Sequence, residues 1–230
     1  MILPARLLEP ALLGTSWPAI VPEADHARAI SLGHPGRCSG YPTLLSLLFD
    51  DSGSITAPGG NDPIGNRFVE ALLAIEAVAK RCRCRRELVS VIHFDVPTAA
   101  DLAPTPLRAH RGQIGRALQL PRNARGNSLL RPSLKEAHRI AEQLPSHRHV
   151  LCVLSDFQLF DDKLDELLDE FAAFPGDVHA VVLRADPPAQ LVDDVRVTVT
   201  PIGYDDPPGA LARAVFAAAT THRLPSRGGR

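Results

Sequence analysis

At 230 residues, 45% of them hydrophobic, the chain is long enough for one α/β domain with a well-buried core and short for two complete ones. Its 25 basic and 26 acidic residues nearly cancel, so no overall field attracts it to nucleic acid or to an anionic membrane. Any partner must therefore be recognised by a local site.

The first 40 residues are predicted to form an extended N-terminal arm. They show no sustained hydrophobic period, and prolines interrupt them at positions 4, 10, 18, 22 and 35. The start has no continuous apolar core before a cleavage site, and no later stretch reaches the roughly 18 uncharged apolar residues of a membrane helix. We expect a cytoplasmic protein with its domain over residues 41–223 and a flexible tail over residues 224–230.

The first half of the domain begins with the apolar run Thr43–Phe49, which is typical of a central parallel strand. Asn61-Asp62-Pro63 then predicts the start of a helix whose apolar positions recur at helical spacing up to Cys82. Residues 88–94 are predicted to form a strand and residues 111–120 a short helix.

The second half continues the alternation of strands and helices. Pro132 opens an amphipathic helix, and further strands are predicted over residues 150–155, 178–183 and 195–200. Helices are predicted over residues 164–171 and 211–221. This order predicts an α/β, Rossmann-like, three-layer fold with a mostly parallel central sheet flanked by helices.

Polar side chains follow the ends of the predicted strands. Asp50, Ser52 and Ser54 come directly after the first strand, Ser128 precedes the helix opened by Pro132, and Asp156 follows the strand over residues 150–155. In open parallel sheets, ligands bind beyond the carboxyl ends of the strands. Carboxylates and hydroxyls are oxygen ligands of the kind Mg²⁺ takes, so the pattern favours a hard cation over a nucleophile.

The order and spacing of these residues resemble the metal-ion-dependent adhesion site (MIDAS) of von Willebrand factor A (vWA) domains, of the stand-alone bacterial type. The resemblance is carried by the Asp-x-Ser-x-Ser run at residues 50–54, the Gly-Asn-Ser run at residues 126–128, and Asp156. It spans about residues 43–183, which is most of the chain.

The resemblance implies a Mg²⁺ or Mn²⁺ cofactor, with Ser52, Ser54 and Ser128 as direct ligands and with Asp50 and Asp156 acting mainly through coordinated water. Members of this family are mostly not enzymes. They bind proteins, often by accepting a partner's Glu or Asp as the last metal ligand. By family analogy the expected role is an intracellular adaptor or regulatory subunit for a MoxR-type AAA+ ATPase or a stress or defence system.

Two positions depart from the family pattern. Ser128 stands where threonine is usual, which keeps the hydroxyl and loses the methyl group that restricts its rotamer. Phe157 stands where glycine is usual, directly after the last aspartate. The sequence therefore predicts that the rim of the site is bulkier and more apolar than in the family.

Other interpretations remain open at this point. Asp50 or Ser52 in isolation is compatible with a simple turn cap. A metal-dependent hydrolase using the same carboxylates, with Asp50 or His93 in an acid–base role, is the enzymatic alternative, although Ser52 lacks the glycines of a nucleophile elbow. A scaffold vWA domain with an empty metal site is a third.

The basic run at residues 80–86 lacks interleaved aromatic residues, so it favours a solvated helix end over nucleic-acid binding. Cys82 and Cys84 lie inside this run. Their spacing is compatible with a soft metal, but zinc sites usually contain paired C-x-x-C runs, and a frayed helix end is the favoured interpretation. With Cys38 and Cys152 they are too few and too irregular for a disulfide framework.

Overall fold

The computed structural model describes residues 30–62, 65–94, 101–121 and 126–225. Its strands are β1 (Thr43–Phe49), β2 (Leu88–His93), β3 (Leu102–Pro106), β4 (Arg148–Ser155), β5 (Asp177–Leu183) and β6 (Val197–Ile202). Its helices are α1 (Gly53–Thr56), α2 (Asn66–Arg81), α3 (Arg111–Ala117), α4 (Arg131–Gln143), α5 (Leu164–Ala172), α6 (Ala189–Asp193) and α7 (Ala210–Thr220).

The strands form one sheet in the order β3-β2-β1-β4-β5-β6. All neighbours pair in parallel except β2 and β3, which are antiparallel. The predicted α/β fold with a mostly parallel sheet is therefore confirmed. Strands β2 and β4 lie on opposite sides of β1, so the strand order reverses at β1. The crevice between the carboxyl ends of β1 and β4 is therefore the topological switch point.

The core consists of two apolar layers separated by the sheet. Side chains alternate along β1, with Leu45, Leu47 and Phe49 in one layer and Leu44 and Leu48 in the other. The first layer is closed by α2, α3 and α7, and the second by α4 and α5. Every residue of β1 is buried, which explains why its sequence is a continuous apolar run rather than an alternating one.

Strand β3 was not predicted from the sequence. It contains Pro104 and Pro106, and proline cannot donate a ladder hydrogen bond. The strand is tolerated because it lies at the edge of the sheet, and its pairing with β2 shifts register between Val89 and Val91.

Helix α2 begins at Asn66, later than the Asn61-Asp62-Pro63 run predicted, and residues 63–64 lie outside the described residues. The side chain that caps this helix is Asp62. It accepts hydrogen bonds from the backbone N–H groups of Asn66 at 2.9 Å and Arg67 at 3.0 Å. Asp62 therefore satisfies the first free donors of α2 from several residues upstream.

Only the end of the predicted arm lies within the described residues. Residues 30–40 carry a single bridge, in which Arg37 N donates to Leu224 O at 2.7 Å and Leu224 N donates to Arg37 O at 3.0 Å. Residues 1–29 of the predicted arm and 226–230 of the predicted tail lie outside the description. No helix in the described part of the chain is long and apolar enough to cross a membrane.

Candidate metal centre

Three loops meet beyond the carboxyl ends of β1 and β4. The loop after β1 contacts the loop before α4 through Gly53 N, which donates to Gly126 O at 3.3 Å. Gly126 adopts φ +73°, a conformation that glycine accepts without steric cost. The loop before α4 in turn contacts the loop after β4, because Phe160 N donates to Ser128 O at 2.9 Å. The loops that carry the predicted site residues are thus hydrogen-bonded to one another.

Asp50 lies at the centre of this junction and is fully buried. Its Oδ1 accepts the backbone N–H of Ser52 at 2.9 Å, and its Oδ2 accepts the Ser155 hydroxyl at 2.6 Å. Burial raises the pKa of Asp50 from its ordinary 3.8 to about 6, the hydrogen bonds oppose that rise, and the charge of Asp156 adds to it. The Asp50 carboxylate is therefore costly to keep ionised without a nearby positive charge.

Asp156 is also buried and follows β4 directly. Its Oδ2 accepts the side-chain amide of Asn61 at 3.0 Å, and its Oδ1 accepts the backbone N–H of Gln158 at 3.1 Å. Asn61 is itself reached by the Tyr204 hydroxyl, which donates to its Oδ1 at 3.4 Å. The Asp156 carboxylate is held in a fixed orientation by these neighbours.

Two of the predicted hydroxyl ligands stand side by side. Ser52 precedes α1 and Ser54 lies within it, and their Oγ atoms are 3.0 Å apart. Oxygens that occupy adjacent octahedral positions at about 2.1 Å from Mg²⁺ are separated by about 3.0 Å. The spacing of this hydroxyl pair fits two neighbouring ligands of such an ion.

The charges of this centre fit a cation. Within the described part of the chain, neither Asp50 nor Asp156 forms an ion pair with Arg, Lys or His, although both are buried. Buried carboxylates in proteins are normally paired or coordinate a metal. The oxygen donors and the missing positive charge fit Mg²⁺ or Mn²⁺, and the bound ion itself stays a prediction.

A buried ionic network beneath the site was missed in the sequence. Asp51 contacts Arg67 Nη2 at 2.8 Å and His93 Nδ1 at 2.6 Å, and Arg67 Nη1 contacts Asp62 at 2.9 Å. A signal was available, because Arg67 shares the buried face of α2 with Ala71 and Ala74 at helical spacing. An arginine on an apolar helix face indicates a buried acidic partner.

His93 does not have the geometry of a catalytic base. Its Nδ1 faces the Asp51 carboxylate, and its Nε2 lies 3.0 Å from the carbonyl oxygen of Ala117, which can only accept. The ring is buried, and both nitrogens are directed at acceptors. Because both ring nitrogens are engaged, neither is free to take a proton from a substrate at the junction of the three loops.

The expectation that Phe157 makes the rim of the site bulkier and more apolar is wrong. Its side chain is only 6% exposed, and its ring lies 6.2 Å from the ring of Phe171 in the core. The backbone of Phe157 has φ +56°, a left-handed conformation that glycine would adopt more easily. The apolar side chain that reaches solvent here is Phe160, which is 77% exposed.

No protein-family model matches the chain, and a search of curated proteins found no match. Among solved structures it is similar to the N-terminal domain of TFIIH p34, with 14% identity over 77% of this chain and 98% of that one and a TM-score of 0.53. It also matches the vWF domain of the type V pili tip protein Mfa5 from Porphyromonas gingivalis, with 13% identity over 80% and 88% and a TM-score of 0.44.

A further match is the pilus adhesin SpaC from Lactobacillus rhamnosus GG, with 17% identity, 54% of this chain covered and a TM-score of 0.45. The chain spans only 16% of the length of that adhesin. At such identities the likeness shows the fold alone. The chain has a vWA-like, Rossmann-type fold, and the MIDAS and the stand-alone bacterial type stay predictions.

Proposed function

We propose that this chain is a vWA-like domain that binds Mg²⁺ or Mn²⁺ and uses the ion to dock a protein partner. The ion would be held by five residues that the three loops carry: Asp50, Ser52, Ser54, Ser128 and Asp156. The partner would offer a Glu or Asp carboxylate to the remaining coordination position.

One observation carries this proposal. Three loops that are far apart in sequence are hydrogen-bonded to one another at the switch point, where they surround two buried carboxylates that have no basic partner in the described residues. A simple turn cap at Asp50 explains neither the second carboxylate nor its burial. A cation would supply the missing positive charge.

The carboxylates and the hydroxyls of the chain would have different roles at such a centre. The bound ion would supply a Lewis-acidic position for an incoming carboxylate. Asp50 and Asp156 neutralise charge while their hydrogen bonds to Ser155 and Asn61 fix their orientation. The neutral hydroxyls of Ser52 and Ser54 fill positions without adding charge, which leaves the ion attractive to a further anion.

The surroundings of the site suit a protein partner. Phe160 and Tyr204 are 77% and 68% exposed, and both connect to the site by hydrogen bonds, Phe160 through Ser128 and Tyr204 through Asn61. Aromatic side chains are enriched at protein interfaces. A carboxylate at the ion with apolar contacts at its rim is a coherent docking surface.

The finer assignment is an intracellular adaptor or regulatory subunit, with a MoxR-type AAA+ ATPase or an effector of a stress or defence system as partner. It rests on family analogy. We propose a binding module rather than an enzyme because of His93, the only histidine beside the site in the described part of the chain. Its ring is buried, and both of its ring nitrogens are engaged.

A capture experiment with the full chain as bait tests the docking function. We expect a partner to be retained in Mg²⁺, released by chelator, and lost from the Ser128→Ala variant, because the ion needs that hydroxyl. Ser146→Ala, a substitution of an exposed serine remote from the site, is the matched control and should retain the partner. Capture that is unchanged by chelator and by Ser128→Ala would refute metal-dependent docking.

A further inference from the structure

Three cysteines and a glutamate converge at the end of the sheet opposite the proposed Mg²⁺ centre. The ligand atoms of Cys38, Cys82, Cys84 and Glu87 all lie within 4.8 Å of one another. The sulfur of Cys82 is 3.8 Å from that of Cys38 and 3.6 Å from that of Cys84. Cys82 and Cys84 are therefore more than a frayed helix end, because Cys38 reaches them from 44 residues away.

These separations match the edges of a tetrahedral zinc site. Zinc binds thiolate sulfur at about 2.3 Å, so two sulfurs on one tetrahedral ion lie about 3.8 Å apart. The Cys38–Cys82 and Cys82–Cys84 sulfur pairs are both within 0.2 Å of that separation. Cys82 is buried and Cys38 and Cys84 are half-buried, as expected of a shielded site rather than of scattered surface thiols.

We propose that Cys38, Cys82, Cys84 and Glu87 bind a zinc ion in a closed, four-coordinate, structural site. Soft thiolate ligands select zinc, copper(I) or iron–sulfur clusters, and the hard carboxylate of Glu87 favours zinc among these. Four protein ligands leave no open position for a substrate, which assigns the ion to structure rather than to catalysis.

The surroundings offset the negative charge of such a site. Arg223 Nη1 donates to Glu87 at 2.6 Å, and its Nη2 lies 3.5 Å from the Cys38 sulfur. The side chain of this arginine is 2% exposed, so it orients the carboxylate and neutralises part of the thiolate charge where water is excluded. An open groove beside the thiols carries further basic side chains: Arg37, Lys80, Arg81, Arg83 and Arg108.

The position of the cluster explains what a zinc ion would stabilise. Glu87 directly precedes β2, and Cys38 lies shortly before β1, so the ligands gather at the amino ends of two parallel strands. Cys82 and Cys84 follow the end of α2. A single ion would fasten the segment before β1 to the link between α2 and β2, independently of the Mg²⁺ centre.

Metal analysis of the full chain, purified reduced and without a metal-affinity tag, tests the site. We expect about one equivalent of zinc to survive dialysis against Mg²⁺ buffer, and to fall to background in Cys82→Ala and Cys84→Ala. Cys152→Ala is the matched control, because Cys152 is fully buried in β4 away from the cluster. The Cys152→Ala variant should keep its zinc. Replacing Arg223 by methionine should weaken zinc affinity about 10- to 100-fold.

Cobalt reconstitution of the stripped, reduced wild type tests the same site without any substitution. A thiolate-to-cobalt charge-transfer band together with the visible bands of tetrahedral cobalt is expected, and zinc should abolish both. The assignment is overturned if folded, reduced wild type holds no zinc and gives no charge-transfer band. It is equally overturned if iron or copper takes the place of zinc, or if Cys152→Ala loses as much metal as Cys82→Ala.

Discussion

Replacing Arg67 by methionine should lower the free energy of unfolding by about 3–5 kcal/mol, the cost typical of leaving a buried charge without its partner. Arg67 is 1% exposed and bridges Asp51 and Asp62, which are themselves buried. Removing the guanidinium leaves two carboxylates without their main counter-charge. Methionine preserves much of the volume, so the loss reports charge rather than a cavity.

Two further variants make that result specific. Adding Asp51→Asn to Arg67→Met should recover part of the loss, because it removes one of the stranded charges. Arg139→Met removes an exposed ion pair with Glu136 and should leave stability unchanged within error. Urea unfolding measures all three, and an Arg67→Met variant as stable as Arg139→Met would contradict the network.

Replacing Asp50 by asparagine should stabilise the ion-free protein at neutral pH by about 3 kcal/mol while removing the response to Mg²⁺. That value follows from a pKa of about 6 in the fold against an ordinary 3.8, a rise caused chiefly by burial. A neutral asparagine avoids the cost of burying the charge. The variant would therefore be more stable and less functional.

The pH dependence of this effect has a definite sign. Because the folded-state pKa of Asp50 is raised, the folded state holds its proton more tightly than the unfolded chain between pH 3.8 and about 6. The stability that this carboxyl contributes is full below pH 3.8 and is lost as the pH rises through 6. In chelator, the advantage of Asp50→Asn over wild type should therefore grow across this window and then level off.

Thermal unfolding in chelator and in Mg²⁺ separates the two parts of this prediction. Saturating Mg²⁺ should raise the midpoint of wild type and leave that of Asp50→Asn unmoved. A substitution at the exposed Asp205 is the control and should behave as wild type in both buffers. If Asp50→Asn is less stable than wild type at neutral pH in chelator, burial of an uncompensated charge at this position is the wrong description.

Much of the fold was predictable because its strands are buried on both faces. The run Thr43–Phe49 coincides with β1, and the strand predicted over residues 178–183 differs from β5 by one residue. Continuous apolar runs identify central strands of a parallel sheet without any tertiary information. The edge strand β3 gave no such signal, because two of its five residues are prolines and its pairing is set by its neighbour.

The meeting of the loops that carry the proposed site residues was predictable for a related reason. The carboxyl ends of parallel strands share one edge, so residues after β1 and β4 must meet there. The side chains that hydrogen-bond to these residues were not predictable. The contact of Ser155 with Asp50 spans 105 residues of sequence, and that of Asn61 with Asp156 spans 95. The thiol cluster was not predicted for the same reason. The sequence shows that Cys82 and Cys84 are neighbours, but it does not show that Cys38 lies beside them in the fold.

Calorimetric titration of the full chain with Mg²⁺ and Mn²⁺ tests the proposed metal centre most directly. We expect wild type to bind either ion, and Ser52→Ala and Asp156→Ala to bind at least about tenfold more weakly, since each removes a ligand or the group that orients one. Ser146→Ala should bind as wild type does. Equal binding by wild type and the Ser52 and Asp156 variants, or no binding by wild type, would contradict a cation held at this edge of the sheet.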